Sequence, residues 1–268
     1  MAGIVGILLV ALLAVTAREA RRSTAVPRSA YTLVQMNLCL SGRAACFPRV
    51  RYPLGVSDAV DLIRRSRADA VTLDEVCRDD VGEIAASAGL HARFAAVPYA
   101  DGPVPCVDPG RRGGYGIAVL TKAPIETTAG GAYAEQDVVE QRHWLCVTTA
   151  PTTLCGTHLE VRDRDSTEAV NDAQCGQLAE VLERLAADGP VVAGGDMNRD
   201  SPCSAPGMRV ATDADAAQAP GKQHVYTTAD LVGAGAWTVP MAHTDHDALV
   251  VTIRLSRGRE EPTRAIRP

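Results

Sequence analysis

Carboxylates, histidines and amides gather at five places in this 268-residue sequence, each just after a short apolar run. They are Gln35-Met36-Asn37, Asp74-Glu75, Gly156-Thr157-His158-Leu159, Gly194-Gly195-Asp196-Met197-Asn198 and His243-Thr244-Asp245-His246. Histidine titrates near neutral pH and serves as general acid or base, and carboxylate oxygens hold hard divalent cations. Taken one at a time, each cluster also fits a turn or a helix cap. Other chemistries lack their patterns. There is no HExxH zinc helix and no GxSxG nucleophile elbow. Arg111-Arg112-Gly113-Gly114-Tyr115-Gly116 is Gly-rich but lacks the lysine and following helix of a phosphate-binding loop, so it is expected to form a turn.

The elements that must carry these residues alternate between strands and helices. Strands are expected at 31–37, 69–75, 93–97, 115–121, 143–149, 153–160, 191–196 and 248–255. A helix capped by Ser57 runs to Ser66 with Val60 and Ile63 buried. In a second helix Val81, Ile84, Ala85 and Ala88 share a face, and Gly89 ends it. The longest opens at Ser166, buries Val170, Gln174, Leu178, Val181 and Leu185, and stops at Gly189-Pro190. Several strands follow one another without a helix between them, which favours an α+β sandwich over a doubly wound parallel sheet.

Composition and cysteines set the compartment. The sequence is 46% hydrophobic and 22% charged with a net charge of −5, as expected of a globular chain with a sizeable core. The acidic balance argues against coating nucleic acid through bulk charge but leaves room for a local basic cleft. Gly3–Ala17 is an apolar run, short for a membrane span of about 20 residues, and Val15-Thr16-Ala17 fits a signal-peptidase site. Residues 1–17 are therefore expected to be a signal peptide, with an N-terminal membrane anchor as the rival reading, since no positive charge precedes the run. Residues 18–30 form an Arg-rich flexible leader, 31–255 one domain, and 256–268 a disordered tail. After an export signal, eight cysteines and no CxxC pair point to disulfides. Nearest-neighbour pairing gives Cys39–Cys46, Cys77–Cys106, Cys146–Cys155 and Cys175–Cys203.

In this order the clusters resemble the endonuclease/exonuclease/phosphatase superfamily, whose fold is that of pancreatic-type deoxyribonuclease. The family pattern is an early strand ending in Asn, a Gln-Glu-Val strand, a Thr-His-Leu strand, Gly-Asp-Phe-Asn and a C-terminal Ser-Asp-His. Here Met36-Asn37, Asp74-Glu75-Val76, Thr157-His158-Leu159, Gly195-Asp196-Met197-Asn198 and Thr244-Asp245-His246 stand in those places. The match runs from about Tyr31 to Leu255. It implies a four-layer α+β sandwich, two mixed sheets flanked by helices. It also implies a secreted, Mg²⁺-dependent (or Mn²⁺- or Ca²⁺-dependent) phosphodiesterase, monomeric, with nucleic acid as the leading substrate.

The resemblance assigns Glu75 as the principal metal ligand, supported by Asn37 and Asp245. Asp196 would align the attacking water, Asn198 would donate to the phosphate, and His158 and His246 would form a histidine pair, with Asp245 orienting His246. Either histidine could be the acid. Arg111, Arg112 and Arg142 are candidate phosphate contacts. Among the departures from the pattern, Asp74 stands for the usual Gln, and Gln223 or His224 for an Asp of the late strand. The alternatives are a sphingomyelinase, phosphoinositide or small phosphoester hydrolase of the same fold, or a catalytically silent binding module.

Overall fold

A computed structural model of the protein describes residues 30–44, 46, 52–99, 102–137, 140–150 and 152–254. The expected signal peptide, nearly all of the leader, and the tail lie outside these residues. In chain order the elements are β1 (Tyr31–Asn37), α1 (Leu54–Ser66), β2 (Ala70–Cys77), α2 (Arg78–Ala88), β3 (His91–Ala96), β4 (Pro98–Tyr99) and β5 (Gly102–Pro103). There follow β6 (Tyr115–Thr121), β7 (Thr127–Ala132), β8 (His143–Thr149), β9 (Thr152–His158), α3 (Asp165–Asp188), β10 (Val191–Asp196), β11 (Arg209–Thr212), β12 (Gln223–Thr227), β13 (Asp230–Val239) and β14 (Ala248–Arg254).

Two six-stranded sheets result, in the orders β13-β14-β1-β2-β6-β3 and β11-β12-β10-β9-β8-β7, with β4 and β5 as a small ribbon. Each large sheet is antiparallel except for one central parallel pair, β1 with β2 and β9 with β10. A parallel pair needs a crossover long enough to return the chain. Here α1 and α3 provide it, and each packs on the outer face of its own sheet beside β1 or β10. With α2 also against the first sheet, the layers run helix, sheet, sheet, helix. This is the expected α+β sandwich.

Strand parity explains how two parallel pairs make one site. Side chains two residues apart share a sheet face. Leu33-Gln35-Asn37, Thr72-Asp74, Leu154-Gly156-His158 and Val192-Gly194-Asp196 all lie on the face between the sheets. Each starts in the core and ends in a polar residue at the strand's C-terminal end. Leu33, Leu154 and Val192 belong to the inter-sheet core, whereas Val191, Ala193, Leu178 and Leu182 form the layer under α3. Gly194 keeps the sheets close, because a Cβ there would run into Thr72 Oγ1 and lie 3.2 Å from Gln35 Oε1.

All four expected disulfides are present: Cys39–Cys46, Cys77–Cys106, Cys146–Cys155 and Cys175–Cys203. Cys146 and Cys155 are direct cross-strand partners on β8 and β9. Cys175 ties α3 to the loop after β10. The first helix starts at Leu54, a turn earlier than its expected Ser57 cap, with Pro53 as its N-cap residue. Ser57 instead bonds back to the Pro53 carbonyl from within the helix.

Candidate active site

The parallel registers place Asn37 beside Asp74 in one sheet and His158 beside Asp196 in the other. Parity alone would turn Glu75 to the outer, helix-covered face. Two features re-aim it: the β2–β6 register shifts between Leu73 and Val76, and Glu75 has φ +54°. A non-glycine residue in that conformation is held there by its surroundings, and such strain concentrates at functional sites. Asn198 shares it, with φ +51°. Asn37 Nδ2 then bridges the sheets, donating to Glu75 Oε1 at 3.0 Å and to Asp196 Oδ2 at 3.1 Å. Its Oδ1 accepts the Cys39 N–H.

Asp196 is the anion at the centre. Its burial opposes ionisation, but His246, His158, the Asn198 N–H at 2.8 Å and the Asn37 amide together hold it below the ordinary aspartate value. His246 Nε2 lies 3.5 Å from Asp196 Oδ2 and 4.0 Å from Asp245 Oδ1. Asp245 thus meets His246 on its Nε2 side and not at Nδ1. That nitrogen faces Gln223 Nε2 at 3.1 Å. The Thr244 hydroxyl donates to the Asn37 carbonyl, pinning the C-terminal cluster to β1.

On the far side His158 sits between Arg142 and Asn198. Arg142 NH1 donates to His158 Nδ1 at 3.0 Å, and Asn198 Nδ2 lies 3.0 Å from Nε2 and donates to the Leu159 carbonyl. Burial first, and then the Arg142 cation, push the His158 pKa down to about 4, so the imidazole is neutral at physiological pH. Arg142 is itself buried, 2.9 Å from Glu140 and 3.6 Å from Glu160, and the hydroxyls of Tyr99 and Tyr115 donate to Glu140.

The expected arginine contacts divide. Arg142 is buried and donates to His158, which places it as a positioning residue. Arg112 is folded away: it pairs with Asp80, donates to the carbonyls of Leu40, Val107 and Pro109, and stacks on Tyr52. A turn sequence with two glycines reads as exposed, but a guanidinium satisfies several buried carbonyls at once. Arg111 alone of the three is exposed.

Three groupings escaped the sequence reading, although several of their residues were named in it. Gln35 donates to Asp74 Oδ2 at 2.7 Å and to Gln223 Oε1 at 2.8 Å, and Asp74 Oδ2 also accepts the Asp196 N–H at 2.7 Å. Asp74 thus ties β2 to β10 across the sheets, and burial, with Asp196 adding, raises its pKa well above the ordinary value. The Glu140–Arg142–Glu160 group is the second. The third is a surface cavity of about 480 Å³ opening beside Asn198 and lined by Arg162, Arg199 and Lys222 together with Asp163, Glu168 and Asp200.

The Endonuclease/Exonuclease/phosphatase family model matches residues 45–246, three-quarters of the chain. The chain belongs to this family. Members are hydrolases of phosphate ester bonds, generally dependent on a divalent metal. No curated protein matches it in sequence. Among solved structures, an endonuclease/exonuclease/phosphatase from Beutenbergia cavernae superposes with a TM-score of 0.64 at 18% identity, covering 85% of this chain and 72% of that one. The human Nocturnin catalytic domain, with a bound sulfate anion, gives 0.65 at 16% identity over 85% and 96%. ANGEL2, a 2',3'-cyclic phosphatase, gives 0.57 at 13% over 84% and 95%.

The residues of this endonuclease/exonuclease/phosphatase site fit a divalent cation. Burial, with Glu140 and Asp196 adding and the Asn37 bond opposing, pushes the Glu75 pKa up to about 7. Carboxylates crowded to that degree are what a hard dication relieves. The Cys39–Cys46 disulfide packs within 4.8 Å of the Glu75 carboxylate, but its bonded sulfurs are not thiolate ligands.

Proposed function

We propose that the protein is a secreted, divalent-metal-dependent phosphodiesterase acting on nucleic acid. The observation that carries this is the meeting of Glu75, Asn37, Asp196, Asn198, His158 and His246 at the strand ends of two sheets. Glu75, its carboxylate held by the Asn37 amide, would hold a Mg²⁺, Mn²⁺ or Ca²⁺ ion, with Asp245 as a further candidate ligand; the ion would supply charge neutralisation on the phosphate oxygens. Asp196, kept ionised, accepts the proton of the attacking water. His246 and Asn198 hydrogen-bond the phosphate as negative charge grows on it. His158, held neutral, presents a hydrogen bond on the leaving-group side. The Asn198 N–H locks Asp196 Oδ1, leaving Oδ2 as the oxygen that faces the site.

The cavity beside Asn198 carries three cations, Arg162, Arg199 and Lys222, and three carboxylates, Asp163, Glu168 and Asp200, so its lining has no excess positive charge. Arg162 and Arg199 converge on Asp172 and Lys222 pairs with Asp200, so phosphates flanking the scissile bond would have to compete with these carboxylates for the cations. A membrane substrate finds less support. Among the described residues the exposed large apolar side chains are Leu54 and Trp237, too few for a patch that enters lipid. Export is supported by the four disulfides, and no helix among the described residues is long and apolar enough to cross a membrane.

The test is hydrolysis of plasmid DNA, RNA, sphingomyelin and a small phosphodiester by the oxidised protein, with Mg²⁺ or chelator. Chelator-sensitive nicking absent from Glu75→Ala is the expected result. Cleavage confined to lipid or small esters would refute the nucleic-acid assignment, and no hydrolysis of any of them would refute the enzymatic one.

A further inference from the structure

We infer that Gln223 is a positioning residue that fixes the tautomer of His246, making this histidine a hydrogen-bond donor to phosphate and leaving Asp196 as the base. The argument is a chain of polarity. Thr72 donates its hydroxyl to Gln35 Oε1, so the Gln35 amide nitrogen faces the other way. It donates to Asp74 Oδ2 and to Gln223 Oε1. With its oxygen engaged there, Gln223 turns its NH₂ towards His246 Nδ1, 3.1 Å away. An amide nitrogen can only donate. Nδ1 must then be the unprotonated nitrogen, and the ring proton sits on Nε2, the atom facing Asp196 Oδ2.

The buried Asp74 carboxyl breaks the degeneracy of the two amides. Turning both over would set Gln35 Oε1 against Asp74 Oδ2, an oxygen already accepting the Asp196 N–H. Turning Gln223 alone would set two NH₂ groups against each other. With Asp74 Oδ2 accepting from both the Gln35 amide and the Asp196 N–H, the two amides keep this polarity. Asp74 and Gln223 both depart from the family pattern, and they lie at the two ends of the Gln35 bridge. Parity selects Gln223 for this duty, because its neighbour His224 points under α3 to Tyr226 and the Gly221 carbonyl. A hydrogen bond to one ring nitrogen is the usual means of setting what the other can do.

The inference rests on the reading of His246 as a phosphate contact, but its test does not need turnover. Long-range ¹H–¹⁵N correlation spectra of the full oxidised protein at pH 8, with His246 assigned by His246→Gln, report the protonation of each ring nitrogen. Unprotonated Nδ1 with protonated Nε2 is expected in the wild type. Gln223→Glu, whose oxygen must accept, should put a proton on Nδ1. Gln223→Met should leave a mixed tautomer and lower kcat about 10–100-fold, the usual cost of losing an outer-shell partner. A wild-type spectrum with protonated Nδ1 overturns the inference by itself, even if the variants do not fold. An inactive protein with the expected tautomer would sink the phosphodiesterase reading and leave the positioning of His246 intact.

Discussion

Replacing Arg142 by methionine removes one cation from the middle of three buried or half-buried partners. Glu140 is 2.9 Å and Glu160 3.6 Å from the guanidinium, and His158 Nδ1 accepts from it at 3.0 Å. Methionine fills much of the volume, so the cost comes from charge and not from a cavity. Breaking a buried ion pair on one side typically costs about 3–5 kcal/mol because the remaining charge stays desolvated. In a domain of this size that lowers Tm by roughly 6–20 °C. Equilibrium urea unfolding of the oxidised protein at pH 7.5 is the assay. Adding Glu160→Gln should return part of the loss, because it removes a carboxylate left without its cation. In the same variant the His158 pKa should rise from about 4 toward the usual 6.5, read from its ring proton shifts across pH. A loss under about 1 kcal/mol, the range of an exposed pair, would refute the picture of a buried network.

Further outcomes follow from the same contacts. Gly194→Ala drives a methyl into Thr72 Oγ1 and toward Gln35, and should cost about 1–3 kcal/mol in urea unfolding as an overpacked core does; a neutral effect would mean the sheets are not held this close. His158 and His224 are both held neutral by burial, with pKa values pushed down to about 4 from 6.5. Between those values the unfolded chain binds more protons, so stability is full above about pH 6.5 and falls as pH drops toward 4. The full shift is worth about 3 kcal/mol per histidine. His224→Gln should shrink the acid-side loss by roughly half in urea titrations at pH 7 and 4.5, and an unchanged slope would contradict it. Thiol titration of the unfolded, unreduced protein should find no free cysteine, and two or more free thiols would break the assigned pairing.

Much of the fold was legible because apolar runs bounded by polar ends coincide with central strands. Tyr31–Asn37, Tyr115–Thr121, His143–Thr149 and Val191–Asp196 have the expected bounds. The strands that were missed lack that contrast. Thr127–Ala132 is largely exposed and Gly-rich, and it is held by its neighbour β8 and not by its own pattern. The site's polar ends were legible from type and order, since a carboxylate or histidine closing a buried strand stands out. Their partners were not. Gln35 meets Gln223 across 188 residues, and Gln is an ordinary residue in both places. Asp245 is the neighbour in sequence and so the expected orienter of His246; it meets the ring on the Nε2 side, while Nδ1 faces Gln223, 23 residues away. Arg112 sits in a Gly-rich turn that suggests solvent, and only the tertiary structure shows the carbonyls that claim it.

The central claim is that Glu75 and the groups around it hold a divalent cation for phosphodiester hydrolysis. The most direct test measures both in one preparation: Mn²⁺ binding by electron paramagnetic resonance and Mn²⁺-dependent cleavage of a labelled oligonucleotide, in the wild type, Glu75→Gln and Asp196→Asn. Glu75→Gln should lose Mn²⁺ binding and cleavage together. Asp196→Asn, lacking the base, should lose about 10²–10⁴-fold in rate. Cleavage that persists in Glu75→Gln, or Mn²⁺ held as tightly without the Glu75 carboxylate, would contradict the account.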